Sequence, residues 1–298
     1  MTVQTLDRAA VGLPITRAGI SFMPIYLAGN SLPEIVTGPN SGIVIDELDS
    51  ATVPTLIAKN PTNTPILVVE GEHFVGGLQN RTINSTVLVP ENTELKIPVS
   101  CLERGRWGRN RSHRRSDAYA PRKVRRETTA GVNASLMHDG SRHGDQGAVW
   151  NAVDEVLATN QVSSETSAAE DLYQARRRDN TWSGLVEELI RIGPLPQQCG
   201  FAVAHGSRVV AVEMFGAPHL FAAHWEALVR SHLFERPAQG GFPSTTWVLR
   251  MIRRFGETAS RAEPGVGMGV ERRLREPKVT GQALFLEDSP VHASIFAR

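Results

Sequence analysis

With only Cys101 and Cys199 among 298 residues, the chain cannot build a disulfide framework, and neither cysteine has a neighbour at metal-ligand spacing. Disulfide-stapled and structural-zinc classes are excluded, and a reducing, cytoplasmic setting is expected. Charge of one sign is missing too: 32 Lys and Arg face 31 Asp and Glu, a formal net charge of +1. No global field draws the protein to nucleic acid or to a membrane surface, so only a local patch can argue for such partners. No apolar run approaches the roughly 18 residues of a membrane-spanning helix, and "MTVQTLDRAAVGLP" lacks the plan of a secretory leader. What the chain does hold is a globular composition, 41% hydrophobic and 21% charged, with material for a sizeable core.

The pattern predicts a single α+β unit over residues 1–298. Its β-rich half, 1–107, reads as short strands between Pro, Asn and Gly clusters: "ISFMPIYL", "GIVIDEL", "TVPTLIA", "TPILVVE", "TINSTVLV" and "ELKIPVSCL". Pro24, Pro54 and Pro98 fall inside these runs and favour edges, bulges or strand ends, because proline donates nothing to a ladder. Residues 104–126 hold ten Lys and Arg against one acid, Asp117, with little apolar periodicity. A solvated basic loop is expected over 108–127, and with only Trp107 and Tyr119 as aromatics it makes a poor nucleic-acid surface.

From 128 to 298 helices precede strands. Val149, Val153, Val156 and Leu157 form one helical stripe, Ser167 and Glu170 stand at capping-box spacing, and "TWSGLVEELIRIGP" ends as a helix should. "FAVAHGSRVVAVEMFG" reads as a hairpin, "PHLFAAHWEALVRSHLF" as one long helix, "STTWVLRMIRRFG" as another, and "TGQALFLEDSPVHASIF" as a closing hairpin. Helices and strands come in separate runs without internal repeats. The expected fold is an antiparallel, sandwich-like β core completed by N- and C-terminal strands, with helices packed on one side.

Against this background "EGEHFVGGLQNRTIN", residues 70–84, is anomalously polar. If "PENTE" turns a hairpin with Val89 opposite Leu95, then Ile83 faces Cys101 and Arg81 faces Glu103. One hairpin face then reads Ile83, Ser85, Val87, Val89, Leu95, Ile97, Val99 and Cys101, and the Arg81–Glu103 pair continues it at the rim. In a continuous strand Glu70 and Glu72 share a face and repel, with Arg81 and Arg106 as the nearest counter-charges in sequence. A turn at Gly76-Gly77 brings that strand back beside Gln79 and Arg81. Glu70, Glu72, Gln79, Arg81, Asn84, Glu103, Arg106 and Trp107 thus combine carboxylates, guanidinium forks, amides and an aromatic face. Such a set suits a phosphorylated or ribosyl small molecule, and equally a salt-bridged structural corner.

"EGEHFVGGLQNRTINSTVLVP" with "IPVSCLERGRW" resembles the signature of the ADP-ribosylglycohydrolase and rhodanese-phosphatase associated protein domain family. "DQGAVWNAV", "VAVEMFG", "GVGMGVERR" and "VHASIF" follow as weaker blocks in the same order. The resemblance carries over Glu70, Glu72, Gln79, Arg81, Asn84, Cys101, Glu103, Arg106, Trp107, Gln146, Trp150 and His292, with Glu213 standing where an aspartate is expected. It implies a role in the metabolism of NAD-derived nucleotides and brings no reaction with it.

The resulting expectation is an ADP-ribose-like or other phosphorylated nucleotide bound at this cluster. Glu72 and Glu103 are the candidate catalytic carboxylates, as general base or as ligands to a Mg²⁺-type cation. Glu70, Gln79, Arg81, Asn84, Arg106, Trp107, Gln146 and His292 are the candidate binding residues. Gln146 opens a helix and has no apolar reason to be there, and a helix N-terminus attracts anions. His292 reads either as a hydrogen-bonded core histidine or as an acid–base group. Cys101, with His292 or His73 as base, is less well explained as a nucleophile than as a small core residue. Gly265, Gly267 and Gly269 lack the βαβ context of a dinucleotide fingerprint and read as a turn. The alternative is a non-catalytic interaction module.

Overall fold

The computed structural model describes residues 6–108, 111–235, 240–259 and 262–298. The chain opens with strands β1 (Ala9–Val11), β2 (Ile15–Arg17) and β3 (Ile20–Leu27). β4 (Val36–Thr37), β5 (Val44–Asp46), β6 (Thr55–Asn60), β7 (Ile66–Val68), β8 (Glu72–Gly76), β9 (Arg81–Ile83), β10 (Val87–Val89), β11 (Thr93–Cys101) and β12 (Ser112–Tyr119) follow. Helices α1 (Arg122–His138), α2 (Gln146–Thr159), α3 (Ala169–Arg177) and α4 (Asn180–Ile192) lead to the hairpin β13 (Gly200–His205) and β14 (Arg208–Phe215). The chain continues through α5 (Pro218–Ala222), α6 (Trp225–His232) and α7 (Thr245–Thr258). It closes with β15 (Glu263–Pro264), β16 (Val270–Glu276), β17 (Val279–Leu286) and β18 (Ser289–Ala297).

The architecture is α+β, and the β-rich half closes on itself: β11, β6, β5, β12, β8 and β9 form a six-stranded barrel. Beside it β10, β7 and β4 make a small sheet. The N- and C-terminal strands join in a nine-stranded antiparallel sheet, ordered β1, β3, β13, β14, β18, β17, β16, β15, with β2 on β3. Pro24 is tolerated inside this sheet because its carbonyl points at Gly12, in the break between β1 and β2, so its missing N–H faces a gap. Helices lie on both faces of this sheet rather than on one. Phe221 and Trp225, of α5 and α6, pack with Phe22 and Phe201, while Val248, Ile252 and Phe255 of α7 pack with Met23, Ile25 and Ala202.

Two sequence expectations are corrected. First, β10 pairs with β7, and β9 meets β11 with Ile83 opposite Val99 and Arg81 opposite Cys101, two residues from the expected register. The polar triplet Asn84-Ser85-Thr86 breaks the run, so its second half leaves for another partner. A two-residue shift preserves which side each residue faces. Ile83, Val87, Val89, Ile97 and Val99 accordingly share one core cluster with Leu56 and Phe74, and Leu95 packs at its margin. Second, the basic stretch is no loop. Arg109 and Asn110 lie outside the described residues, but Ser112–Tyr119 is a barrel strand and Arg122 begins a 17-residue helix.

Smaller differences follow the same logic. Ala168, rather than Ser167, occupies the N-cap of α3, and Ala168 N–H donates to Ser164 Oγ instead. The long helix around Trp225 is broken at Ala223-His224 into α5 and α6. The glycines of "GVGMGV" form the turn between β15 and β16, where Gly267 and Gly269 have positive φ.

Candidate functional site

The signature residues do not converge on one point. A first group braces the loop between β8 and β9. Arg106 donates from Nε to Glu103 Oε2 (2.9 Å), from Nη1 to Gly77 O (3.1 Å) and from Nη2 to Gly76 O (3.1 Å) and Asn80 Oδ1 (3.2 Å). Glu103 also accepts from Thr166 Oγ1 at 2.9 Å and from Asn80 N–H at 3.3 Å. Burial opposes its charge, but these hydrogen bonds win and hold it below the usual carboxylate range. Glu103 therefore pairs with Arg106, not across the ladder with Arg81.

Arg81 is fully buried opposite Cys101, and its Nη1 donates to Gln79 Oε1 at 3.0 Å. Cys101 Sγ donates to the same oxygen, and burial pushes the thiol up to about 11, consistent with a core residue. Gln146 is bidentate on the Cys101 backbone, accepting from its N–H at 2.8 Å and donating to its carbonyl at 3.0 Å, which fixes α2 on β11. Trp107 is 57% exposed.

A second group is a buried clasp that the sequence did not reveal. Arg125 of α1, fully buried, donates from Nη2 to Glu70 Oε2 (2.8 Å) and from Nη1 to Glu213 Oε1 (2.6 Å). Its guanidinium lies over the rings of Tyr119 and Phe296, 5.2 and 5.1 Å from their centroids. Ser294 Oγ donates to Glu70 Oε2 at 3.0 Å, and His292 Nδ1 meets Thr86 Oγ1 at 2.8 Å. Burial opposes the Glu213 charge, yet Arg125, His232 and His292 hold it well below the carboxylate range. One arginine thus joins the barrel end (Glu70), the first helix and the nine-stranded sheet (Glu213, Ser294).

Glu70 and Glu72 are separated by a turn, because Gly71 has φ +85°, so they do not share a strand face. A Cβ at Gly71 would lie 2.2 Å from Arg125 Nε. Gly71→Ala is expected to cost about 2–4 kcal/mol, from left-handed strain plus displacement of the guanidinium, read as a lower urea midpoint.

The third place is a cavity of about 290 Å³, and Glu72 is the predicted catalytic residue that lines it. β12 creates the space. Arg115 pairs with Phe74 and Tyr119 with Glu72, so four steps on β12 match two on β8 and the strand bulges outward. The α5–α6 junction closes the far side with His224. Glu72 Oε1 accepts from Val69 N–H at 2.7 Å, and Arg115 Nε lies 2.8 Å from Oε2. Burial nonetheless raises the Glu72 carboxyl, against the pull of Arg115 and the Val69 amide. Arg115 Nη1 and Nη2 are buried with no hydrogen-bond partner among the described residues.

The cavity histidines are neutral. Burial brings His73 down to about 3, and both its ring nitrogens lack hydrogen-bond partners among the described residues. Burial also holds His224 well below its ordinary range. Its tautomer follows from its neighbours: Thr37 Oγ1 spends its proton on Leu67 O (2.7 Å), so His224 Nε2–H must donate to Thr37. His224 Nδ1 is then the acceptor of the Tyr119 hydroxyl at 2.8 Å. A carboxyl with raised pKa beside an arginine with open donors can bind an anion and move a proton beside it, while Tyr119, its proton spent on His224, offers only an acceptor oxygen. Among the described residues no three His, Cys, Asp or Glu side chains group as a metal site.

Sequence reasoning found Glu72 but missed Arg115, Tyr119 and His224. The first two were hidden in a charge run read as loop, and His224 in a helix read as unbroken. The barrel, the clasped nine-stranded sheet and the cavity between barrel strands β8 and β12 and the α5–α6 junction make up an α+β protein. The chain belongs to the family of the ARG and Rhodanese-Phosphatase-superfamily-associated Protein domain, whose model matches residues 8–296. No curated protein and no solved structure matches the chain. Among the described residues no helix is long and apolar enough to cross a membrane.

Proposed function

We propose that the protein binds the phosphorylated ribosyl end of an NAD-derived nucleotide in the Glu72–Arg115 cavity, where Glu72 serves as the proton-transfer group. One observation carries this reading: both terminal guanidinium nitrogens of Arg115 have no hydrogen-bond partner among the described residues and stand at the wall of a cavity that also holds a carboxyl with raised pKa. Guanidinium forks match phosphate oxygens, and the Tyr119 oxygen, its proton held by His224 Nδ1, is left as an acceptor for a ligand hydroxyl. At about 290 Å³ the cavity sits at the small end of ligand pockets, which favours a ribose phosphate over a complete dinucleotide. The family's association with ADP-ribose-processing proteins narrows the anion to a nucleotide by analogy alone.

On this reading Gln79, Arg81, Glu103 and Arg106 shape the neighbouring loop, and Glu70 and His292 belong to the clasp. Calorimetry with ribose 5-phosphate, AMP, ADP-ribose and NAD, with and without Mg²⁺, tests it. Heat is expected with the ribosyl phosphates, and Arg115→Gln is expected to weaken binding about tenfold or more, the loss of a charged hydrogen-bonding partner. Glu72→Gln should keep binding and abolish any turnover the wild type shows. A folded protein that gives no heat with any of these compounds sinks the proposal and favours the interaction-module alternative.

A further inference from the structure

Asn84 is a signature residue that belongs neither to the Glu72 cavity nor to the Arg125 clasp, and it points to a second place. Its Oδ1 accepts from Ser100 Oγ at 2.8 Å, and its Nδ2 donates to the carbonyl of Arg142 at 3.1 Å. Asn84 thereby ties the segment carrying Arg142 to the barrel. Arg142 lines a groove of about 600 Å³ between the end of α1 and the β15–β16 corner, together with Arg273, Arg275, Glu271, Glu263 and Met137.

The charges in this groove are unbalanced. Glu271 is buried and is shared by two cations, accepting from Arg142 Nε at 2.8 Å and from Arg273. Arg273 also donates to Ser85, beside Asn84. Arg275 Nε is buried with no hydrogen-bond partner among the described residues. The floor therefore sets three guanidiniums against one buried carboxylate, with Glu263 exposed at the rim. Burial and the neighbouring Arg273 charge lower the Arg275 pKa, with no acid among the causes to offset them. A dianion that accepts several hydrogen bonds offsets both deficits at once, and phosphate geometry matches guanidinium forks.

We infer that this groove is a second ligand site, for a phosphoryl group carried on a small molecule, with Arg142, Arg273 and Arg275 as its cationic lining. It stands independently of the Glu72–Arg115 reading, because it shares no lining residue with that cavity. The test is arginine modification by phenylglyoxal, mapped residue by residue by mass spectrometry on the wild-type chain. Inorganic phosphate, pyrophosphate and ribose 5-phosphate are compared with sodium chloride at matched ionic strength. At roughly ten times the Kd of the protecting compound, modification of Arg275 and Arg142 is expected to slow about tenfold by mass action.

Protection by inorganic phosphate alone defines a free-anion site, and stronger protection by the ester defines a site for a phosphorylated metabolite. Arg115, followed in the same spectra, reports the other cavity separately. Arg275→Gln is expected to remove the protection of Arg142 while leaving that of Arg115. Equal modification rates of Arg275 in all four solutions overturn the inference.

Discussion

Arg125→Ala is expected to lower the thermal midpoint by at least about 10 °C, or to abolish a cooperative unfolding transition altogether. The reason lies less in what the ion pairs contribute than in what their removal strands. Glu70 and Glu213 are both fully buried, and each has Arg125 as its cationic partner. Breaking one buried pair by deleting a partner costs about 3–5 kcal/mol, and here one deletion uncovers two carboxylates. A domain of this size has about 5–15 kcal/mol in total. Arg125→Lys keeps the charge but cannot span both carboxylates with paired N–H groups, so it should fall between wild type and alanine. The triple variant Arg125→Met, Glu70→Gln, Glu213→Gln should recover much of the alanine loss, because no ionised group is left stranded. Differential scanning calorimetry of the four proteins checks this, and a midpoint drop under about 3 °C for Arg125→Ala would refute the clasp.

That the most consequential side chain was not legible in the sequence has a physical explanation. Hydrophobic periodicity finds a helix by its apolar stripe, but the buried face of α1 consists of Arg122, Val124, Arg125, Thr128, Thr129, Val132 and Asn133. This face is largely polar, and its burial is made tolerable by partners distant in sequence, such as Glu213. The usable signal was the spacing Val124, Thr128, Val132, which recurs every four residues after Pro121. The barrel strands were legible because alternation is local, whereas their closure depends on pairings such as β12 with β8 that no neighbouring residue dictates. The β9–β11 register was read two residues away because "TINSTVLV" looks continuous, although its central triplet turns the chain from one sheet to another. Glu72 was recognised as chemically unusual, but its partner Arg115 was submerged in a run of charges of which the neighbours Arg114 and Asp117 are exposed.

Mild acid is expected to destabilise the protein at a pH well above the ordinary carboxylate range. His73 is depressed to about 3 and His205 to about 4, while His224 and His232 are also lowered, with burial the leading cause in all four. The unfolded chain binds a proton at each of them below its ordinary 6.5, and the fold does so only at lower pH. Stability from these groups is thus fully present above pH 6.5 and is lost as the pH falls toward their folded values. Glu72 and Glu170 act in the opposite sense: burial raises both, so the fold takes up to two protons that the unfolded chain lacks above pH 4.5. His73 and His205 together leave the fold nearly two protons short between pH 6 and 5, His224 and His232 add in the same direction and Glu72 and Glu170 subtract, for a slope on the order of 1–3 kcal/mol per pH unit. The thermal midpoint should accordingly fall by about 3 °C or more across that unit at constant ionic strength. Below pH 4.5 Glu213, Glu47 and Glu103, all held below the ordinary carboxylate range, add to the loss as they protonate. A midpoint that stays level or rises from pH 6 to 5 would show that these histidines are hydrated. Three of the titrating groups, Glu72, His73 and His224, line the cavity assigned to the ligand, so the burial that prepares that cavity for proton transfer also makes the fold acid-labile.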